Sequence, residues 1–500
     1  MRPYYITTAI PYVNAAPHLG HALEFVQADV LARHRRLRGY PVRFLSGTDD
    51  NALKNVIAAR NARIPVADYV ASAADRFEVL QTRLELSCDD YIRTSSDTRH
   101  RRGVEFLWQR CVDSGDFYQH TYEGLHCIGC EQFYEAESLA AGLCPEHGTA
   151  PERVTETNWF FRLSRYGRQI KAVIESEALT INPPQKRNEV LALIDAGLKD
   201  FSVSRPSARA DGWGIPVPSD PSQVIYVWWD ALTNYITALG VDQDGDDYRY
   251  WWCGDGERVH IIGKGITRFH AVYWIGLLLS AGRPLPTTIH VHDYVNAGGT
   301  KLSKSTGNVV DPTMLIDEFG INALRWWMTR EVPLLGDTEF TTARLVQAYN
   351  NDLANGLGNL ANRTLTLLHK HYNGQLHPAD KPATGPRWSS LELETACAEL
   401  PSKIDTALQT ADFRSATGHL IASVDVANQL LNAAEPWKEV RTLDADPRRT
   451  HRLLSTVARA CRTIATELTP FCPTGAAILI RQLGVGNRVE APEPVFARLP

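Results

Sequence analysis

Tyr4-Tyr5-Ile6-Thr7-Thr8-Ala9-Ile10-Pro11-Tyr12-Val13-Asn14-Ala15-Ala16-Pro17-His18-Leu19-Gly20-His21 is the stretch from which the rest of the chain is read. Its first seven residues, β-branched and aromatic, predict a buried strand, and Pro11 and Pro17 break the chain into a loop after it. From Ala22 to Arg38 the apolar positions Leu23, Val26, Val30 and Leu37 recur at spacings of three, four and seven, with arginines toward the end, which predicts a helix. His18 and His21 therefore stand at a helix start. Unpaired N–H groups and a positive dipole attract phosphate there, and two imidazoles three residues apart project to the same side. Gly20 keeps side-chain bulk out of the gap. Taken alone, the pair fits a solvated helix start or two metal ligands equally well.

Residues 41–46 predict a second strand, ending at Gly47-Thr48-Asp49-Asp50. Strand, helix, strand implies a doubly wound parallel sheet, whose ligands bind at the carboxyl ends of its strands, where the Ala9 to Tyr12 turn and Asp49 fall. Helices are expected over residues 66–86 and 95–113. Further on, residues 224–230 and 259–264 read as strands, and residues 266–279 as a helix carrying His270 and Trp274 on one face. Beyond residue 341 the strands stop. Helical patterns over about 343–370, 391–408, 414–434 and 447–468 predict an α-helical bundle, with a Pro/Gly-rich loop at 373–388.

Five hundred residues exceed one core and imply two to four domains, and 44% apolar with 22% charged residues is ordinary globular composition. Neither a basic leader nor a bilayer-length apolar run is seen, so the cytoplasm is the expected location, with no membrane partner. The formal charge of -5 argues against wholesale nonspecific nucleic-acid binding, although a local basic surface suffices for a single RNA. Candidate patches are Arg33, Arg35, Arg36 and Arg38, then Arg99, Arg101 and Arg102, then Arg448, Arg449 and Arg452. Each fits a solvated helix face as well.

Nine cysteines in such a chain imply thiols or metal ligation rather than disulfides. Cys88, Cys111, Cys253, Cys397, Cys461 and Cys472 are scattered and expected to be buried. Cys127-Ile128-Gly129-Cys130 and Cys144-Pro145-Glu146-His147 instead form Cys-x2-Cys and Cys-x2-His, a spacing that lets four ligands converge on one Zn2+. With no water-activating group in the set, a structural metal is expected.

Lys301-Leu302-Ser303-Lys304-Ser305 lies in a Gly-flanked run, where two lysines three apart can neutralise a polyphosphate. HLGH followed at this distance by KLSKS resembles the two signatures of class I aminoacyl-tRNA synthetases. AIPYVNAAPHLGHALE, the Cys/His knuckle, WFFRLSRY, WGIPVP, YVWWDALTNYITALG, HIIGKGITRFHAVYW, KLSKSTGNVVDP, NDLANGLGNLANRTL and AAEPWK resemble the methionyl-tRNA synthetases specifically, in family order from Tyr4 to about Leu468.

The resemblance implies ATP-dependent activation of L-methionine, with Mg2+, and transfer to tRNA(Met), by a monomer. His18 and His21 would stabilise the pentavalent phosphate, and Lys301 and Lys304 would hold the departing pyrophosphate. Gly20 and Lys264 would join them at ATP. Ala9, Ile10, Tyr12, Trp228, Ala231, Leu232, Tyr235, Ile266 and His270 would line the amino-acid pocket, and Asp49 would pair with the α-ammonium. Asn359, Arg363 and Trp437 would read the anticodon. The implied fold class is α/β: a Rossmann-type parallel-sheet catalytic domain (1–116 and 211–290), an inserted zinc-knuckle domain (117–210), a KLSKS loop and stem-contact region (291–342) and a helical anticodon-binding bundle (343–500).

The chain also departs from the pattern. Many members read Thr-Asp-Glu-His-Gly where this chain has Thr48-Asp49-Asp50-Asn51-Ala52, and many carry Asp near the ATP ribose where this chain has Gly265. Weaker ATP binding is expected unless Asp50 or water substitutes. The rival readings are a specialised paralogue activating methionine or an analogue and a catalytically silent tRNA-binding protein. No Gly-x4-Gly-Lys-Ser/Thr run occurs, which excludes a P-loop ATPase.

Overall fold

The computed structural model describes residues 1–129, 131–134, 139, 141–145, 148–298, 300–301, 310–379, 381–385, 387–440, 446–484 and 486–500. They form two compact units, Met1–Thr82 with Leu86–Tyr294, and Arg83–Glu85 with Val295–Pro500. No helix among the described residues is long and apolar enough to cross a membrane.

The first unit is built on a six-stranded parallel sheet. Its strands are β1 (Tyr4–Thr8), β2 (Val42–Thr48), β3 (Asp90–Arg93), β4 (Thr180–Asn182), β5 (Glu257–Gly263) and β6 (Thr288–His292), in spatial order β3-β2-β1-β5-β6-β4. All five residues of β1 are buried, as a central strand covered on both faces requires. Helix α1 (Leu19–Leu37) crosses from β1 to β2, and strand order reverses between β1 and β5, the place where such sheets open a crevice. The strand β4 lies inside residues 117–210, so the sheet takes its edge strand from the span read as an insertion. The rest of that span folds around an antiparallel sheet of Phe117–Cys127, Gln132–Tyr134, Glu152–Phe161 and Phe201–Ser202.

One predicted strand is not a strand along its whole length. Residues 224–230 divide at Tyr226: Asp220–Ile225 is a strand and Val227–Thr237 is a helix, α3, with α2 at Leu53–Ala62 before it. A short apolar run has the same appearance in a buried strand and a buried helix. The helical reading wins because Trp229, Ala231 and Leu232 pack into the core while Asp230 hydrogen-bonds within it.

In the second unit, helices Thr342–Tyr349, Asn359–Tyr372, Leu391–Gln409, Phe413–Ala434, Pro447–Leu468 and Pro473–Leu483 account for most of the bundle. A two-residue hairpin, Thr384–Gly385 with Trp388–Ser389, interrupts it, so strand pairing does not stop at 341. Arg325 is fully buried and donates to the carbonyls of Leu84, Pro470 and Phe471, each at 2.9 Å. The scattered cysteines differ from expectation: Cys111, Cys461 and Cys472 are buried, Cys88 and Cys397 partly so, and Cys253 is exposed.

Candidate active site

His18 is the N-cap of α1, and the two histidines complete the helix start between them. The Gly20 N–H donates to His18 Nδ1 at 3.1 Å and the His18 N–H donates to His21 Nδ1 at 3.1 Å. An Nδ1 that accepts is unprotonated, so each neutral ring carries its proton on Nε2 and offers that N–H as a donor. The rings stack with centroids 3.8 Å apart. Burial, then His18 and Lys54, hold His21 well below the ordinary histidine range, which keeps it neutral. A Cβ on Gly20 would stand 3.0 Å from the His18 ring, which would have to give by a few tenths of an ångström to admit it.

Beside them a cavity of about 210 Å³ opens at the carboxyl ends of β1, β2 and β5. Ala9, Ile10, Tyr12, Asp49, Trp228, Ala231, Leu232, Tyr235, Ile266 and His270 all line it, together with Gly20 and His21. Trp228 stacks on Phe269 at 3.6 Å and meets Tyr12 edge-on at 6.1 Å. Tyr235 Oη lies 2.7 Å from His270 Nε2, while His270 Nδ1 lies 3.0 Å from the Ile266 carbonyl. The carbonyl can only accept, so Nδ1 bears the proton and the tyrosine hydroxyl donates to Nε2. Burial pushes His270 down to about 4. The chamber is apolar and aromatic with a polar tip, a shape suited to a thioether chain.

Asp49 is 2% exposed, and its Oδ1 has no hydrogen-bond partner among the described residues. Burial raises its carboxyl well above the usual range, and Asp230 and Asp50 add to the shift. An ammonium group brought to this oxygen would relieve both costs. Asn51 donates to Asp230 Oδ2 at 2.7 Å, and Asp230 also meets the buried His100 ring, so the changed residue at 51 holds a neighbouring acid in place. Ala52 is fully buried at the N-cap of α2, packed with Tyr226 and Val227.

The cavity also contains three residues that sequence reasoning passed over, Pro11, Glu24 and Phe25. Glu24 lies one helical step from His21, as His21 does from His18, and that spacing was a usable signal. Lys264 follows β5, 3.7 Å from Asp293 and over the Tyr294 ring. In the second unit Lys301 pairs with Asn296 in a short antiparallel ladder. Lys304 lies outside the described residues.

Of the four proposed zinc ligands, Cys127 and Cys144 are described, both 1% exposed and neither in a disulfide; Cys130 and His147 lie outside the described residues. Cys127 ends its strand opposite Gln132, and the Cys144 N–H and carbonyl bond to Thr149 and Gly148 in a tight turn. Buried thiols are the ligand type that a closed structural metal site uses. Among the described residues no group of three or more metal-ligating side chains occurs.

Asn359 is exposed, and four residues on along its helix the Arg363 guanidinium lies over the Trp437 ring. Most of the basic patches are engaged by acids: Arg33 with Asp29, Arg35 with Glu257, Arg36 with Asp89, Arg99 with Asp90 and Asp97, Arg102 with Asp242, and Arg449 with Glu439.

Comparison with known proteins agrees along the whole chain. The family described as tRNA synthetases class I (M) matches residues 4–154 and 146–365. Methionine–tRNA ligase of Caldanaerobacter subterraneus is 38% identical, covering 100% of this chain and 79% of its own, and that of Brucella suis is 38% identical, covering 99% and 98%. The structure of Mycobacterium tuberculosis methionyl-tRNA synthetase in complex with methionyl-adenylate superposes with a TM-score of 0.93 at 36% identity, covering all of both chains. A Rossmann-type sheet with paired histidines at the start of α1, and a match that runs over the full length, together mean that the chain belongs to the class I tRNA synthetases of the methionyl type.

Proposed function

We propose that this chain is a methionine–tRNA ligase, a cytoplasmic monomer that activates L-methionine with Mg-ATP and passes it to tRNA(Met). The observation that carries the reading is that all ten residues assigned to methionine line one cavity that His21 also borders. The methionine thioether enters between Trp228 and Tyr12 toward Tyr235 and His270, and its ammonium pairs with Asp49. Its carboxylate oxygen attacks the α-phosphorus of ATP; a new P–O bond forms as the bond to the β-phosphate oxygen breaks and pyrophosphate leaves. The Nε2–H groups of His18 and His21 donate to the phosphate oxygens that gain charge, a role for pre-aimed dipoles. Gly20 and Lys264 join this ATP site, and Lys301 and Lys304 neutralise the pyrophosphate.

In the second step the terminal hydroxyl of tRNA(Met) attacks the acyl carbonyl and AMP leaves. Asn359, Arg363 and Trp437 are assigned to the anticodon, whose unstacked bases need a donor, a cation and an aromatic face. Cys127, Cys130, Cys144 and His147 are assigned to one structural Zn2+, which when bound cross-links the two turns. The domain limits at 116, 210, 290 and 342 belong to the same reading. Methionine-dependent exchange between ATP and pyrophosphate, followed by charging of tRNA(Met), tests the proposal; exchange with no charging would leave a specialised activating enzyme in its place.

A further inference from the structure

Residues that follow two paired parallel strands lie side by side. Gly263 of β5 pairs with His292 of β6, which brings Lys264 next to Asp293, and the Lys264 ammonium is 3.7 Å from Asp293 Oδ1. Lys186 approaches the same oxygen at 3.3 Å. Residue 265, in the short turn Lys264–Ile266 that follows β5, is glycine and contributes no side chain; Ile266 after it is cavity wall. On the other side, His292 Nε2 lies 3.1 Å from the carboxylate of Glu24, which also lines the cavity. Asp293, 9% exposed, thus follows the strand beside the one that leads into the cavity wall at Ile266, and its neighbour His292 meets the cavity-wall residue Glu24.

In dinucleotide-binding doubly wound sheets a carboxylate beyond the carboxyl end of a strand accepts a hydrogen bond from a ribose hydroxyl, which shows that this edge of such a sheet can present an acid to a ribose. A carboxylate has about four acceptor sites, enough for two ammonium groups and a hydroxyl. Asp50 is a poorer candidate: it follows β2, two strands from β5, and accepts from the Ser95 hydroxyl at 2.8 Å and the Ser95 N–H at 3.3 Å. We infer that Asp293 binds the ribose hydroxyls of ATP, supplying from β6 the carboxylate that Gly265 does not supply from β5. The inference rests on the ATP-dependent reading above, and it replaces the expectation of weakened ATP binding with a relocated contact.

The test is calorimetric titration of the full chain with ATP and with 2′,3′-dideoxy-ATP, alongside methionine-dependent exchange. The wild-type chain should bind the dideoxy nucleotide about tenfold more weakly, the scale of a hydrogen bond to a charged acceptor. Asp293→Asn should weaken ATP binding by about fivefold, shrink that gap by the same factor and leave the KM for methionine unchanged; adding Gly265→Asp should restore the gap. Equal binding of the two nucleotides by the wild-type chain overturns the inference whether or not the variant folds, as does an undiminished gap in Asp293→Asn. A normal gap without methionine-dependent exchange would instead remove the proposed function and leave the ribose contact standing.

Discussion

The guanidinium of Arg363 lies over the indole of Trp437, 4.7 Å from the ring centroid. One face of the indole is therefore already occupied by a cation, and the pair forms a single stacking platform on the second unit. Base stacking on an aromatic face contributes about 1 to 3 kcal/mol. Trp437→Ala should weaken charging of initiator and elongator tRNA(Met) by about tenfold while sparing adenylate formation; equal damage to both steps in parallel assays would point to folding alone.

His21→Ala should slow single-turnover adenylate formation by at least about tenfold, the usual scale for losing a donor to transition-state charge. Lys304→Ala should do the same. Rapid-quench measurement of methionyl adenylate in both variants checks this, and wild-type rates in both would refute the assignment.

Elemental analysis of the purified chain should find close to one zinc. Removing it with a chelator should expose Cys127 and Cys144, now 1% exposed, to thiol reagents and loosen the antiparallel sheet that Cys127 ends. Unchanged thiol protection after chelation would argue that packing alone buries them.

His290 in β6 is held at about 4 by burial, with Arg35 adding to the shift, against about 6.5 in an unfolded chain. Its contribution is intact above pH 6.5 and is lost as pH falls from there toward 4, because only the unfolded chain takes up the proton. The loss reaches at most about 2 kcal/mol by pH 5. Urea midpoints at pH 7 and pH 5 should therefore lie closer together in His290→Leu than in the wild-type chain.

The doubly wound topology placed the Ala9 to Tyr12 turn and Asp49 at strand ends, while Trp228, Ala231, Leu232, Tyr235, Ile266 and His270 were legible through the resemblance to the methionyl-tRNA synthetases. Tyr226 marks the limit of periodicity. The run around it is apolar throughout, so alternation and helical spacing could not be separated, and only tertiary packing shows that a helix starts at Val227. Thr180–Asn182 was invisible for another reason: three residues carry no period, and their place at the sheet edge comes from pairing with β6 more than a hundred residues away. Asn51 was visible as a departure, but its contact, like the place of Asp293, could not be read because their partners, Asp230 and Lys186, are brought in from distant segments.

The capping arrangement of His18 and His21 carries a consequence for how this region can vary. Because each Nδ1 receives a main-chain N–H of the same turn, the first turn of α1 and the aim of the two Nε2 donors are one object. On the proposed role of these donors, a chain in which that turn has frayed has also lost them, and turnover becomes a local thermometer for the helix start. Natural selection then acts on any exchange at either position twice, once through folding and once through rate. His18→Asn would pull the two apart: asparagine is among the best helix caps yet has no ring N–H at the outer position, so the turn would stay and the chemistry would go.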